Sequence, residues 1–380
     1  MSLKNSLLVS MAMGIFLVLM CAMAQTWTQT SAPTNRSWLF ISMSADGQKI
    51  TAITSGAHPI YSTDFGNTWQ TNQNAPMAYS CLAASADGTK LAMVDFQNFS
   101  IYVSTNSGDV WTQTSSPKSD QWWTLACSAN GSTMIAAIRT SGSLIYVSTN
   151  SGLSWSPGGS PAKAWASVAC SADGTKLVAA ANGDKVYIST NSGILWTPTM
   201  APTDNWSSLA CNASGTHLIA SGTATYLSTN FGSSWSIAST NTGPVASSAD
   251  GKKLIIAGGI IYTSDDGGES WISNDAPHSW YCVSSSADGS EKVAARYSYP
   301  SSGIWIKHSN PSPQLNLTPA NGSFALSWLI PSTNFVVQQS SDLADWETLT
   351  NPPALNFTNL QEELSLSSTN NSRFFRLLAQ

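Results

Sequence analysis

Six aromatic residues stand at one fixed offset in this chain. Trp38, Tyr79, Trp122, Trp165, Trp206 and Trp280 each lie six residues before a short recurring phrase, Ser-Ala-Asp-Gly-Thr-Lys or a variant of it. Rings at equal intervals around a pocket mouth would suit stacking on sugars. Strict repetition favours packing between repeated units, where large aromatics mostly serve, since binding sites tend to break symmetry. Trp123, Tyr281, Tyr297, Tyr299 and Phe99 break the regularity, which better fits contact with a partner. Acid–base chemistry finds less to work with. Hydrolysis of a glycosidic bond needs two paired carboxylates, whereas Asp95, Asp120, Asp184 and Asp204 come singly, as turn formers do. His58 and His278 also stand alone, and no His or Cys pairs fall at ligand spacing, so neither a metal nor another cofactor is expected.

The elements that would position these residues follow from repetition. A Ser-x-Asp/Asn-x-Gly-x-x-Trp box occurs six times, at 62–69, 104–111, 148–155, 189–196, 228–235 and 264–271. Between the boxes runs the recurring phrase, starting at Ser44, Ser85, Ser128, Ser171, Asn212, Ser248 and Ser286, with spacings of 41, 43, 43, 41, 36 and 38 residues. A period of this size signals a repeat architecture. Within one unit, residues 165–170, 177–180, 186–189 and 196–199 read as strands, with the phrase as a hairpin turn and the box as the turn before the fourth strand. Four short antiparallel strands, repeated radially, make a β-propeller blade. In the box, the Asp or Asn oxygen takes backbone N–H groups, the Gly supplies a positive φ, and the Trp wedges between sheets. Asn106, Asn150, Asn191 and Asn230 replace Asp, so the carbonyl oxygen matters and the charge does not.

The two ends of the array complement each other. The last unit has three strands, near 280–285, 292–296 and 303–308, and no box. The segment from Gln25 resembles the stretch after Trp111, and Trp27 precedes Ser44 by 17 residues as Trp111 precedes Ser128. The N-terminal segment is therefore expected to supply the missing outer strand. The fold expected is all-β: a seven-bladed propeller over residues 25–310, closed by an N-terminal strand and followed by a small β-sandwich. Hairpin phrases and boxes should share one regular rim. The aromatic positions and the variable loops should share the other, where function on a rigid scaffold usually lies.

The boxes resemble the Asp-box, or BNR, repeat of sialidases, sortilin-type receptors and photosystem II assembly factors. The resemblance implies the propeller and little about activity, because such families mix enzymes with binding proteins. A sialidase-like glycoside hydrolase would need three arginines on the substrate carboxylate, a Tyr nucleophile with a Glu base, and an Asp acid. Arg36, Arg139 and Arg296 fall on the variable rim, with Tyr297 and Tyr299 beside Arg296, yet Glu269 and Glu291 lie in a box and a hairpin turn on the other rim. Binding without catalysis is the expectation, with the sialidase-like hydrolase as the alternative. The arginines are predicted to scatter.

Export is read from the first 24 residues: Lys4, an apolar run over 7–20, and Ala22-Met23-Ala24 as a cleavage signal. The expected location is secreted or periplasmic, with cleavage after Ala24 and no membrane span thereafter. Removing Lys4 from the 16 basic residues leaves 15 against 21 acidic ones, without a basic cluster, which argues against nucleic acid. The partner expected is an extracellular or periplasmic protein or a neutral glycan. Five cysteines follow the leader, an odd number that argues against a disulfide framework. Cys127, Cys170 and Cys211 share one slot before successive phrases, Ala84, Ser247, Ser285 and Met43 fill it elsewhere, and Cys81 and Cys282 share another. Buried thiols near the central axis are expected. Beyond a linker at 310–313 the period stops. Residues 311–380, with strands near 324–328, 334–339, 346–349 and 373–377, resemble the fibronectin-III-like modules of secreted bacterial proteins.

Overall fold

The structure, a computed structural model, describes residues 26–119, 122–274, 279–297 and 302–309. In the C-terminal region it describes 315–320, 323–329, 335–340, 345–350, 353–358, 360–367 and 374–379. The proposed leader, Asp120, His278, Tyr299 and the side chain of Tyr79 lie outside the described residues.

Every element among the described residues is a strand. Up to residue 308 these form seven four-stranded antiparallel sheets, six of them consecutive meanders. In the unit read above, the strands are Trp165–Cys170, Leu177–Ala181, Val186–Ser189 and Thr197–Pro198. The second strands Leu91–Asp95 and Leu177–Ala181 are buried along their whole length. Strands covered on both faces read as unbroken apolar runs, and alanines such as Ala92, Ala136 and Ala179 let neighbouring sheets approach closely.

The seventh sheet joins the two ends of the array. Thr28–Gln29 pairs with Gly303–His308, Thr28 opposite Ile306 and Gln29 opposite Trp305. Thr30 N–H adds a bond to the Ile304 carbonyl at 2.9 Å. The hairpin phrases tie the sheets side by side through one alanine each. Ala45 donates to Ala86 (2.7 Å), Ala86 to Ala129 (2.8 Å), Ala129 to Ala172 (2.9 Å) and Ala172 to Ala213 (2.8 Å). Ala213 then donates to Ala249 (2.9 Å), Ala249 to Ala287 (2.6 Å), and Ala287 back to Ala45 (2.8 Å).

The boxes repeat one bonding scheme. The Ser oxygen accepts the Gly N–H at 2.8–2.9 Å, as in Gly66 to Ser62 and Gly152 to Ser148. The Asp or Asn oxygen accepts the N–H four residues on, at 2.9 Å from Thr68 to Asp64 and 3.0 Å from Ser154 to Asn150. Both residue types make this same bond. The turn asks for more than one glycine, however: Phe65 and Ser151, just before the Gly, also have positive φ, 58° and 60°.

In the C-terminal region, Asn316–Ala320, Ser323–Leu329, Gln361–Ser367 and Ala354–Asn356 form one sheet, and Glu347–Thr348, Phe335–Ser340 and Phe374–Ala379 another. Leu326, Trp328, Val337 and Leu364 form a core shared by both. The turn before Gln361 carries Leu360 against Ala45 and Ala287, two alanines of the bonded ring.

Candidate binding site at the mouth of the first strands

The first strand of each sheet has a leading and a trailing end, and a cavity lies at each. Trailing residues from all seven sheets, among them Met43, Ala84, Cys127, Cys170, Cys211, Ser247 and Ser285, line a space of about 170 Å³ together with Leu360. The shared slot of the three cysteines is thus one level of one cavity. Cys211 Sγ lies 3.4 Å from the Cys170 carbonyl, and Cys127 Sγ lies 2.9 Å from that of Ala84. Burial pushes the Cys127 and Cys211 thiols up to about 12, which makes them inert fillers at neutral pH. The five cysteines are unpaired, and no group of three or more His, Cys, Asp or Glu among the described residues could hold a metal.

Leading residues line the second cavity, of about 330 Å³. Phe40, Trp123, Ser167, Ser208, Val245 and Tyr281 face it from six different sheets. Trp123 is half-buried and Tyr281 is exposed, its ring 5.1 Å from that of Tyr297. The Arg139 guanidinium sits 4.1 Å over the Trp123 ring. Burial pushes the Tyr281 phenol up, Tyr297 adds to this, and the Arg139 charge pulls it back. Arg139, which follows the strand Met134–Ile138, and Tyr281, in Trp280–Ser285, thus meet beside this cavity.

The regular aromatics do something else. Trp38, Trp122, Trp165, Trp206 and Trp280 are buried, none more than 6% exposed. Trp122, Trp165 and Trp206 meet Tyr146, Tyr187 and Tyr226 edge-on at 5.3–5.6 Å, and Trp280 meets Trp305 in the same way at 5.2 Å. The indole N–H of Trp165 donates to the Ser143 carbonyl at 3.0 Å, and that of Trp206 to Asp184 at 2.8 Å, both in the preceding repeat. These positions thus serve packing, the reading that strict repetition favours; among the described side chains of the set, Trp280 also touches the cavity wall.

The three arginines have three separate partners. Arg36 Nη1 donates to the His58 carbonyl at 3.3 Å, Arg139 covers Trp123, and Arg296 lies 5.4 Å over Trp305. The rim carboxylates are likewise occupied. Asp95 caps its own turn through Gln97 and Asn98, Asp184 pairs with Lys163 at 2.6 Å, and Asp204 accepts from Thr223 at 2.9 Å.

Sequence reading missed Phe40 and the wall hydroxyls. The register offered a signal, because Phe40 stands two residues after a packing tryptophan, as Thr124, Ser167 and Ser208 do.

No family model and no curated protein matches this chain. Solved structures do. YCF48 from Cyanidioschyzon merolae is similar over 75% of this chain and 98% of its own, with 16% identity and a TM-score of 0.57. A structure described as YCF48 bound to D1 peptide is similar over 75% and 96%, with 18% identity and a TM-score of 0.55. The GH74 xyloglucanase from Xanthomonas campestris is similar over 80% of this chain, with 15% identity and a TM-score of 0.57, and this chain spans 59% of its length. At such identities the likeness concerns the fold alone: the chain has a β-propeller fold.

Proposed function

We propose that this chain is an exported, non-enzymatic binding protein that engages a protein partner at the mouth formed by the leading ends of its first strands. The observation that carries the proposal is the cavity of about 330 Å³ with Trp123 and Tyr281 in its wall. We further take the seven sheets to be the blades of one closed Asp-box propeller, and the C-terminal sheets to be a fibronectin-III-like sandwich. The cycle of seven alanine bonds and the pairing of Thr28–Gln29 with the last sheet support closure. The backbone bond that Asp64 and Asn150 share supports the Asp-box assignment. Export, to the periplasm or beyond, rests on Lys4, the apolar run and Ala22-Met23-Ala24.

A neighbour of this fold solved with a peptide bound supports a protein partner. The separate partners of the arginines weigh against a sialidase-like carboxylate clamp. Photocrosslinking tests the reading directly: a photoreactive residue is placed at position 123 in one protein and at Ile237, exposed on an outer strand, in another. The expected result is one defined protein adduct from position 123 and none from 237, with no signal on a neutral-glycan array. Glycan binding lost on Trp123→Ala, without an adduct, would replace the protein by a polysaccharide.

A further inference from the structure

We infer that the mouth takes a peptide segment presenting one aromatic or large aliphatic side chain beside a carboxylate; this rests on the protein-binding reading above.

The wall sets the first condition. Its hydroxyl oxygens each accept from a neighbouring backbone: Val168 N–H donates to Thr124 Oγ1 at 3.3 Å, Leu209 N–H to Ser167 Oγ at 3.1 Å, and Val245 N–H to Ser208 Oγ at 3.1 Å. Most of the rest of the wall is apolar, including Phe40, Ile41, Ala166, Pro244, Val245 and Val283. Against such a wall a sugar would exchange water for few partners, at a cost for each hydroxyl left unpaired. An apolar side chain gains by its burial.

Size sets the second condition. The mouth is about 330 Å³ and shares no lining residue with the separate cavity at the trailing ends of the strands. A pocket of that size accepts an inserted side chain rather than a threaded strand.

Charge sets the third. Arg139 is exposed over Trp123 and has no carboxylate partner among the described residues. Asp95, Asp184 and Asp204 are each held elsewhere. In a chain of formal net charge −5, this entrance presents a free guanidinium. Trp, Tyr and Arg around a desolvated pocket are the composition of an interaction hot spot.

Fluorescence polarisation with labelled pentapeptides tests the inference on the full chain. Gly-Glu-Phe-Glu-Gly should bind at least about ten-fold tighter than Gly-Glu-Ala-Glu-Gly and Gly-Lys-Phe-Lys-Gly. Arg139→Gln should abolish the preference for Glu over Lys, and Arg139→Lys should keep it. Trp123→Ala should weaken both Phe peptides, and cellotetraose should displace none. Melting curves identify any variant that fails to fold. Equal binding of the three peptides, no binding of any, or displacement by cellotetraose would overturn the inference. If the position-123 adduct forms while the peptides are not discriminated, only the ligand chemistry fails. If the adduct is absent, the site itself fails.

Discussion

Ala287 donates its backbone N–H to the carbonyl of Ala45 at 2.8 Å, binding the last hairpin phrase to the first. It completes a cycle of seven such bonds, one from each phrase. The pairing of Thr28–Gln29 with Gly303–His308 is a second tie between the same termini, made at the outer edge rather than at the axis. Because each tie joins residues far apart in sequence, each closes a long loop.

Removal of residues 25–33 should therefore lower the melting temperature sharply. It takes away the outer strand, the Thr30 bond and the buried Ala32, and exposes the edge of Gly303–His308. Calorimetry checks this. A shortened protein that melts with the intact one would show that the outer strand contributes little to closure.

Substitutions in one box separate hydrogen bonding from charge. Asn150 Oδ1 accepts from Ser148 Oγ at 2.9 Å and from Ser154 N–H at 3.0 Å. Asn150→Ala should cost about 1–3 kcal/mol in denaturant unfolding, the usual loss for a turn bond left unmade. Asn150→Asp should cost much less at pH 7. The Thr68 N–H and hydroxyl hold the Asp64 carboxyl below the usual carboxylate range. A carboxylate held low in the folded state stabilises above its unfolded pKa and loses that contribution as pH falls through the folded one. The Asp variant should accordingly lose ground to the parent in acid, below about pH 4.

The boxes and phrases were legible in sequence because their bonds run between residues two to five apart, so chemistry and spacing appear in one short string. Packing was legible only in part. Trp165 and Trp206 looked alike as ligand platforms and as fillers, and the edge-on contacts with Tyr187 and Tyr226 decide between the two. Trp123 and Tyr281 were recognisable as departures from the repeat, whereas the convergence of Arg139 with Tyr281 depends on ring geometry that spacing does not encode. The strand Gln361–Ser367 was missed because its polar and acidic residues, such as Glu362 and Glu363, mask the apolar alternation.

Trp165 and Trp123 should answer alanine substitution in opposite ways. Trp165 is fully buried among Val168, Leu177 and Tyr187, and its loss should cost about 3–5 kcal/mol through the void it leaves. Trp123 is half-buried at the mouth, and its loss should shift stability little while removing ligand binding. Equilibrium unfolding of the two variants distinguishes a packing ring from a binding entrance.

Lys292 breaks the repeat inside the core. Ile50, Leu91, Met134, Leu177, Leu218 and Leu254 hold its position in the other repeats, and the residue paired across from each is a box serine. In the last sheet Lys292 pairs instead with Lys307. Burial, with Lys253 and Lys307 nearby, pushes the Lys292 amine down to about 8. The unfolded amine titrates near 10.4. Between those values the unfolded chain binds more protons, so this group makes stability rise with pH, while below pH 8 the full cost of a buried charge remains. Lys292→Leu should raise the melting temperature at pH 7, with an advantage that shrinks from pH 8 to 10. A variant less stable than the parent at pH 7 would assign the amine a structural role through its bond to the Gly289 carbonyl.

Leu360 tests the relation between the C-terminal sheets and the ring. It has a φ of 58°, unusual for a bulky residue, and its N–H is fixed by the Asn356 carbonyl at 2.9 Å. Such a conformation persists where surroundings hold it, and here the side chain rests on Ala45 and Ala287 and lines the cavity that contains Cys127, Cys170 and Cys211. Those thiols report on the seal. With Leu360 in place they should react slowly with methyl methanethiosulfonate at pH 8, being both enclosed and largely protonated. Leu360→Asp places a charge against alanines and should open the cavity, raising the labelling rate of these three cysteines but not of Cys81, which is buried elsewhere. Mass spectrometry of the labelled peptides locates the change. Unchanged rates at all three positions in a protein that still melts cooperatively would mean that Leu360 rests on the ring without sealing it.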